Sequence, residues 1–465
     1  MKYISTRGLA PKLNFEEVLL AGLATDGGLY VPEQLPQFSK AEIASWAGLS
    51  YADLAKKIIA PFVADTIPQA DLDAIIDATY GTRAATDGNN VFAHDAVAPL
   101  KQLDSNLWLL ELFHGPTAAF KDLAMQLAAS LMDAALASAG DRLTLVTATS
   151  GDTGAAAVRA FAGAGRIRLI VLHPEGRVSP VQRLQMTTVK ADNITNLAVR
   201  GDFDDCQRLV KGLLADEALR AEGPLSSVNS INWARLAGQI PYYVTAGAAL
   251  AGAAPRFVVP TGNFGDAFAG WAARQMGANV GSLIAAVNSN DALARVLAEG
   301  IYSRRTTVET HSVSMDVQAP SNFERLVFEA TDRDADRTRA VFETFALEGT
   351  VTLDDDLLAP LRAEVSTETV SEAETRAEIA HAWSAWGQVI CPHTAVAVAA
   401  ARRLDRDQGP VVALSTAHPA KFPDVVSGAL GFEPRRPSVL EGLEGRPEYC
   451  RTVDSTLAAV RAALD

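Results

Sequence analysis

Cysteine is scarce in this sequence of 465 residues, which contains Cys206, Cys391 and Cys450 and no other. The three positions are far apart, no C-x-x-C pair occurs, and an odd number cannot complete a disulfide framework. Neither the cysteines nor the histidines follow a zinc-binding spacing, so no metal site is expected. This pattern indicates a reducing compartment, and we expect a cytoplasmic protein.

Long apolar runs and positive charge are also in short supply. The longest run of small apolar residues, 244–255, is shorter than the roughly 20 residues that a membrane-spanning helix needs. The first residues lack the apolar core of a signal peptide. The formal net charge is −14 at pH 7, whereas binding to nucleic acid by counterion release requires clustered lysine and arginine. We therefore expect a soluble protein that binds neither membranes nor nucleic acid.

The rest of the composition is that of a folded globular protein, with 48% hydrophobic and 21% charged residues. The first 90 or so residues predict helices joined by loops, with helix starts at Ser39 and Pro68. From about Leu107, short apolar runs are followed by glycine-containing turns and then by helical periodicity, which predicts alternating strands and helices. Residues 330–403 predict outer helices, and residues 435–465 predict a tail that ends in a short helix.

Four of the predicted strand-to-helix turns are unusual, and they begin near His114, Ser150, Thr261 and Thr416. Ligands bind at the carboxyl ends of strands in open α/β sheets, so the four turns predict one shared crevice. The sequence contains no P-loop, no dinucleotide-binding glycine motif and no G-x-S-x-G elbow, which argues against those classes of enzyme.

Two of these turns suit anions. Thr261-Gly-Asn-Phe-Gly-Asp offers free N–H groups at the positive end of a helix dipole, where a phosphate would be stabilised. An ordinary turn with Asp266 as the helix N-cap is equally compatible with these residues. Ser150-Gly-Asp-Thr-Gly adds hydroxyl groups to the same arrangement and suits a carboxylate.

Lysine is scarce as well, so few amines are candidates for covalent chemistry. Lys121 lies near the start of an amphipathic helix, where the helix dipole and burial would favour a neutral amine, the form that condenses with an aldehyde. Most lysines in such positions are solvated, and Lys421 is a rival at a similar junction. The nearby histidines are expected to be structural or orienting residues: His114, His393 and His418.

Six stretches of the sequence together resemble the threonine synthase family, in particular its long bacterial and fungal form. In chain order they are Glu111-Leu-Phe-His-Gly-Pro-Thr-Ala-Ala-Phe-Lys-Asp, Thr147-Ala-Thr-Ser-Gly-Asp-Thr-Gly-Ala-Ala, Ser227-Val-Asn-Ser-Ile-Asn, Thr261-Gly-Asn-Phe-Gly-Asp, Pro392-His-Thr-Ala-Val-Ala and Thr416-Ala-His-Pro-Ala-Lys-Phe. The resemblance implies an α/β fold with two open twisted-sheet subdomains of pyridoxal-phosphate fold type II, similar to the tryptophan synthase β family, and an N-terminal helical segment. It implies an N-terminal segment over 1–92, a catalytic region over 93–434 with the cofactor between the subdomains, and a tail over 435–465.

The resemblance also implies roles for individual residues toward the cofactor, pyridoxal 5′-phosphate. Lys121 is expected to carry it as a Schiff base, in preference to Lys421. Thr416 is expected to face the pyridine nitrogen, in preference to Ser415. The loop for the cofactor phosphate is expected to consist of Gly262, Asn263, Phe264, Gly265 and Asp266.

The substrate loop is implied less sharply. Ser150, Asp152 and Thr153 match the loop that takes the substrate carboxylate or the 3′-oxygen of the cofactor, and related fold type II enzymes carry asparagine at the position of Asp152. The groups that bind the substrate phosphate stay open, with Lys421, Arg7 and Lys190 as candidates.

The implied reaction converts O-phospho-L-homoserine and water to L-threonine and phosphate, the last step of threonine biosynthesis. The partner is then a small-molecule substrate, and the chain is expected to be a monomer or a homodimer whose subdomains close on the substrate. Another lyase on the same fold, a serine/threonine dehydratase or a phospholyase for a phospho-amino acid, is the nearest alternative. A non-catalytic binding protein that kept the fold is a further one.

Overall fold

The computed structural model describes residues 1–82, 91–250 and 252–464, which form a mixed α/β structure. The strands, in chain order, are β1 (Tyr3–Ser5), β2 (Tyr30–Pro32), β3 (Leu100–Asp104), β4 (Leu107–Glu111), β5 (Leu143–Ala148), β6 (Ile167–Pro174), β7 (Ile194–Arg200), β8 (Leu225–Ser226), β9 (Arg256–Pro260), β10 (Leu283–Val287), β11 (Ile301–Ser303), β12 (Thr350–Thr352), β13 (Val365–Thr369), β14 (Val411–Ser415) and β15 (Arg451–Asp454).

The helices, in chain order, are α1 (Phe15–Ala21), α2 (Lys40–Ser45), α3 (Tyr51–Val63), α4 (Gln69–Tyr80), α5 (Lys121–Ala139), α6 (Asp152–Phe161), α7 (Pro180–Thr187), α8 (Phe203–Ala215), α9 (Glu217–Ala221), α10 (Trp233–Ala237), α11 (Ile240–Ala249), α12 (Gly265–Gln275), α13 (Ala292–Glu299), α14 (Phe323–Ala330), α15 (Ala335–Glu348), α16 (Asp355–Glu364), α17 (Glu372–Trp386), α18 (Pro392–Arg402), α19 (Pro423–Leu430) and α20 (Leu457–Ala462).

Six strands form the larger sheet, in the order β13-β10-β9-β14-β4-β3. All neighbours run parallel except β3, which pairs with β4 in the antiparallel direction at the edge. The central strands β9, β10 and β14 are almost entirely buried and mostly apolar. Such continuous apolar runs are typical of parallel strands that are covered by helices on both faces.

A second sheet contains five parallel strands in the order β15-β7-β6-β5-β8. Its strand β6 is again a nearly continuous apolar run. Helices lie between its consecutive strands, as parallel pairing requires. Two separate sheets with their own helices confirm the expected α/β class with two open-sheet subdomains.

The predicted tail is more than a terminal appendage. Its short final helix is confirmed as α20, but the tail also supplies β15, which pairs with β7 at the edge of the five-stranded sheet. The sequence of β15 alternates too briefly to predict a strand, because only Val453 of its four residues is buried. The domain boundaries themselves stay predictions.

The N-terminal segment contains the predicted helices. Ser39 accepts a hydrogen bond from the N–H of Glu42 in a capping box at the start of α2, and Pro68 directly precedes α4. The segment also contains the antiparallel pair β1 and β2, which the sequence analysis did not predict.

The expectation of outer helices over residues 330–403 was partly wrong. Strands β12 and β13 lie in this range, and β13 is an edge strand of the larger sheet. Helix α18 is not an outer helix, because its residues from Pro392 to Ala401 are all buried. Its small side chains allow close packing on β9 and β14, whereas β13 is short and polar and gives little strand signal.

Candidate active site

The four unusual turns follow strands that end at a common place. Strands β9, β14 and β4 are consecutive and parallel in the larger sheet, so the turns after them lie side by side at its carboxyl edge. The turn after β5, in the other sheet, reaches the same place through Asp152. The carboxylate of Asp152 lies 3.7 Å from Lys121 Nζ and 2.7 Å from Lys421 Nζ. The structure therefore places the four turns around one crevice between the two sheets, as predicted.

Lys121 is the first residue of α5 and is held by the turn before it. The carboxylate of the neighbouring Asp122 accepts hydrogen bonds from the Thr117 N–H at 2.8 Å and the Thr117 hydroxyl at 2.7 Å. Gly115 allows this closure, because a Cβ there would lie 2.5 Å from the Asp122 side chain. Asp122 thus fixes the turn that aims Lys121, a role that the sequence analysis missed although the residue is adjacent to the lysine.

The turn that contains Thr416 is joined to the Lys121 turn by main-chain hydrogen bonds. The Phe120 N–H donates to the Thr416 carbonyl at 2.8 Å, and the His418 N–H donates to the Ala118 carbonyl at 3.0 Å. The hydroxyl of the preceding residue, Ser415, lies 3.0 Å from the hydroxyl of Thr394 on α18. Ser415 is therefore engaged with α18, away from the turns.

The Ser150 turn is folded over the hydroxyl of Thr149. That oxygen accepts hydrogen bonds from the N–H groups of Gly151 at 2.9 Å and Gly154 at 2.8 Å. Gly151 has φ 136°, and a Cβ there would lie 2.4 Å from the Gln182 side chain, so glycine is required. Helix α6 begins at Asp152, and the first N–H groups of a helix have no partner within it. The N–H groups of Asp152 and Thr153 can therefore bind an anion.

In the Thr261 turn, the main chain lies very close to the segment around Ser314. Phe264 is the N-cap of α12 and has φ 62°, in the left-handed region. A Cβ at Gly262 would lie 2.4 Å from the Ser314 carbonyl oxygen. The Asn263 carbonyl accepts a hydrogen bond from the Asn322 N–H at 3.1 Å. A left-handed residue at the start of a helix gathers successive N–H groups into a concavity that favours a phosphate.

The alternative interpretation of this turn, with Asp266 as the helix N-cap, was wrong. Asp266 is the second residue of α12, and its carboxylate accepts hydrogen bonds from the hydroxyls of Tyr242 at 2.5 Å and Tyr243 at 2.7 Å. Its other oxygen, Oδ2, is buried without a hydrogen-bond partner among the described residues. Burial raises the pKa of Asp266 to about 6.

The electrostatics of the crevice favour a neutral amine at Lys121. Burial lowers the pKa of Lys121, and the charges of Arg235 and Lys421 lower it further, while Asp152 and Asp266 act in the opposite direction. Burial alone would raise the pKa of Asp152, but Lys421 and Lys121 together hold it well below its usual range. The crevice thus pairs a reactive amine with a permanently ionised carboxylate.

Arg235 is a further site residue that the sequence analysis missed. It lies on α10, is 3% exposed, and donates from Nη1 to the Val228 carbonyl at 2.8 Å. Its Nε has no hydrogen-bond partner among the described residues. Its position three residues after the Ser227-Val-Asn-Ser-Ile-Asn stretch was the available signal, because an arginine among small apolar residues is unusual in a buried helix.

The three residues that were candidates to bind the substrate phosphate lie in different environments. Lys421 is fully buried and paired with Asp152. Arg7 is paired with Glu324 through both Nε and Nη2, and Lys190 is exposed. In the part of the chain that the structure describes, no hydrogen bond or ion pair joins Arg7 or Lys190 to the four turns.

Ser314 and His393 close the crevice from the side of the larger sheet. The Ser314 N–H donates to His393 Nε2 at 3.1 Å, and the Ser314 hydroxyl donates to Asp152 Oδ2 at 3.3 Å. Burial lowers the pKa of His393 to about 4. The imidazole is therefore neutral, accepts at Nε2 and orients the segment around Ser314, in agreement with the expected orienting role.

These residues fit pyridoxal phosphate. The crevice offers an amine with a lowered pKa, a left-handed glycine-rich turn at a helix N-terminus for a phosphate, and a hydroxyl at Thr416 beside the amine's own turn. A family model described as "Pyridoxal-phosphate dependent enzyme" matches residues 93–356, more than half of the chain. The chain is thus a pyridoxal-phosphate-dependent enzyme, which confirms the expected cofactor.

Two further family models, described as "Threonine synthase N terminus" and "Threonine synthase, C-terminal", match residues 2–80 and 394–464. The chain belongs to the threonine synthase family. The threonine synthase of Pseudomonas aeruginosa is 48% identical over 467 residues, which cover 99% of this chain and 97% of that protein.

Solved structures agree with this assignment. The crystal structure of threonine synthase from Brucella melitensis with bound pyridoxal phosphate has a TM-score of 0.94 and 46% identity, and covers 99% of this chain and 98% of its own. Threonine synthase from yeast has a TM-score of 0.91 and 35% identity, over 100% of this chain and 98% of its own. The expected family and fold type are confirmed.

No helix within residues 1–82, 91–250 and 252–464 combines the length and apolar character needed to cross a membrane. Over the same ranges, no group of three or more histidine, cysteine, aspartate or glutamate side chains could hold a metal ion. The three cysteines are free thiols.

Proposed function

We propose that this enzyme converts O-phospho-L-homoserine and water to L-threonine and phosphate in the cytoplasm, as the last step of threonine biosynthesis. The observation that carries the proposal is the position of Lys121, whose side chain is 13% exposed and lies 3.7 Å from Asp152 at the meeting point of four strand-end turns. Bound pyridoxal phosphate supplies an electron sink that stabilises negative charge on substrate carbons.

The cofactor would be held by residues of three turns. Lys121 is its covalent anchor, and the N–H groups of residues 262–266 bind its phosphate at the start of α12. Thr416 faces the pyridine nitrogen. Support for Thr416 over Ser415 comes from the contact of Ser415 with Thr394, which turns that hydroxyl toward α18.

Lys121 would also act as the base. With substrate bound, the Lys121 amine would remove the proton from the substrate Cα. Its lowered pKa favours the neutral form, which is the form that acts as a base. Because the amine stays within 4 Å of the ionised Asp152, the ammonium group that forms after proton removal has a counter-ion.

The substrate would bind by its two anionic ends. The N–H groups of Asp152 and Thr153, with the hydroxyls of Ser150 and Thr153, take the carboxylate. The Asp152 side chain is already engaged by two lysines, so this residue contributes its main chain to that contact. Arg235, whose buried Nε has no hydrogen-bond partner within the described part of the chain, is the cation for the substrate phosphate.

Water must be excluded until it is needed at Cβ, so we also propose that the two subdomains close on the substrate. A pair of crystal structures with and without a substrate analogue would test this, and identical angles between the subdomains would contradict it. The oligomeric state, a monomer or a homodimer, is open to measurement by light scattering.

The test of the function is product analysis with O-phospho-L-homoserine as substrate. We expect one threonine for each phosphate released, and no activity in Lys121→Ala. Release of 2-oxobutyrate in place of threonine would identify a phospholyase or dehydratase. Borohydride reduction followed by peptide mapping should place the pyridoxyl group on Lys121, and a label on Lys421 would overturn the central assignment.

A further inference from the structure

Three charged side chains, those of Lys121, Asp152 and Lys421, form a buried row in the crevice. The proposed function uses Lys121 and the main chain of Asp152, and it leaves Lys421 without a task. An ion is costly to bury, because the loss of hydration is recovered only through well-placed partners. A second fully buried lysine beside the reactive one therefore calls for a reason.

The position of Lys421 excludes direct chemistry. Its side chain is 0% exposed, and its Nζ donates to the Thr117 carbonyl at 2.8 Å. The same Nζ lies 2.7 Å from Asp152 Oδ1, whereas Lys121 Nζ lies 3.7 Å from the other oxygen, Oδ2. Lys421 and the reactive amine thus contact different oxygens of the same carboxylate.

The carboxylate of Asp152 is held in one orientation by groups from three further elements. The Gln182 amide donates to Oδ1 at 2.9 Å, and the Ser314 hydroxyl donates to Oδ2 at 3.3 Å. Lys421 is the strongest contact on Oδ1. With Oδ1 fixed in this way, Oδ2 is directed to Lys121.

We propose that Lys421 is a positioning residue, which holds the Asp152 carboxylate ionised and directed at Lys121 and shares its negative charge with that amine. This inference rests on the proposed role of Lys121. In the unaltered chain, the two oxygens of Asp152 face two lysines, so Lys121 receives only part of the stabilisation that an undivided carboxylate would give its ammonium form.

Several other ionisable groups lie near these three side chains and also affect their pKa values. The groups that act on Lys121 are Asp152, Lys421, Arg235 and Asp266. His393 faces Asp152 from α18 and is neutral, because burial lowers its pKa to about 4. None of these groups is changed in the variants below except Asp152 and Lys421.

The test measures the pH at which covalent attachment of pyridoxal phosphate to Lys121 is half-maximal, in the full-length chain freed of cofactor. Attachment is followed by visible absorbance and confirmed by borohydride mapping. In Lys421→Met, Asp152 has Lys121 as its one lysine partner, so we expect the midpoint to rise by about 1–2 pH units. In Asp152→Asn the anion is lost, and we expect the midpoint to fall.

The double variant separates positioning from direct repulsion. If Lys421 acts mainly through Asp152, the change Lys421→Met raises the midpoint much less once Asp152→Asn is present, because only the direct repulsion between the two lysines is then removed. An unchanged midpoint in Lys421→Met, or an equal rise in both backgrounds, would overturn the inference. Lys190→Met makes the same chemical change at an exposed position, and its midpoint should match that of the unaltered chain.

If Lys421→Met does not fold, Asp152→Asn can still be compared with the double variant. The inference expects both to fold and to differ in midpoint by much less than the rise of about 1–2 pH units expected for Lys421→Met alone. A folded Asp152→Asn with an unfolded double variant would show that Lys421 serves packing alone, which contradicts positioning. If the unaltered chain makes threonine and attaches the cofactor at Lys121, failure of these expectations removes this inference and leaves the proposed function intact.

Discussion

The close approach between Gly262 and the Ser314 carbonyl gives the sharpest prediction about the cofactor site. A Cβ at position 262 would lie 2.4 Å from that oxygen, whereas ordinary contacts begin at 3.4 Å. Gly262→Ala therefore requires a separation of about 1 Å between the turn and the segment around Ser314. Forcing an added carbon atom into such a contact costs typically ~1–3 kcal/mol, which corresponds to a loss of up to about 100-fold in affinity.

We expect Gly262→Ala to weaken pyridoxal phosphate binding by up to about 100-fold, measured by absorbance titration, while circular dichroism shows a folded chain. Gly428→Ala is the matched control, because Gly428 is exposed within α19 and a Cβ there meets nothing within 4 Å. The control should bind the cofactor normally and gain ~0.5–1 kcal/mol in stability. Unchanged cofactor affinity in Gly262→Ala would refute the role of the close approach.

Three other outcomes follow from the same contacts. Lys121→Ala should lower kcat by at least ~10³-fold in a threonine-release assay while the fold survives; appreciable residual turnover would contradict its role as base. Thr149→Val removes the acceptor of two N–H groups and should lower the unfolding free energy by ~1–3 kcal/mol in urea titrations, whereas the exposed Thr452→Val should change it by less than ~0.5 kcal/mol. Burial raises the pKa of Asp266 from 3.8 to about 6, so its ionised form destabilises the fold above that pH and the penalty fades as the pH falls toward 3.8. The unfolding free energy of Asp266→Asn minus that of the unaltered chain should thus be ~1–3 kcal/mol larger at about pH 8 than at about pH 4. A difference that does not change with pH would contradict this.

The parts of the fold that were predictable are those with a local signal. Strands β4, β5, β9 and β14 were visible as apolar runs before glycine turns, and the capping box at Ser39 was visible in its side chains. The parts that were missed depend on pairing between distant segments. Strand β15 has one buried residue and exists because β7 offers a free edge. Val453 pairs with Val199, which lies 254 positions earlier (453 against 199), so no local pattern could reveal the strand.

The residues of the candidate site likewise include some that the sequence could reveal and others that it could not. The turns at Lys121, Ser150, Thr261 and Thr416 could be found because each combines glycine or hydroxyl residues with a strand end. Ser314 could not, since it enters the crevice from a segment without a glycine turn. Arg235 gave one weak signal, an arginine among apolar residues just after the Ser227-Val-Asn-Ser-Ile-Asn stretch. A buried charge has no sequence signature of its own, because burial is a property of the packed chain and not of its neighbours along the sequence.

The position of Asp152 shows how far a resemblance alone can lead. Related fold type II enzymes carry asparagine there, which made its contact with substrate or cofactor uncertain. The structure places it between Lys121 and Lys421, and a neutral amide would leave the buried ammonium group of Lys421 without a counter-ion. An aspartate at this position and a lysine at 421 are therefore explained together, because each makes the burial of the other tolerable. The reactivity of Lys121 then depends on a residue 300 positions away in the chain, 421 against 121, that never touches the substrate.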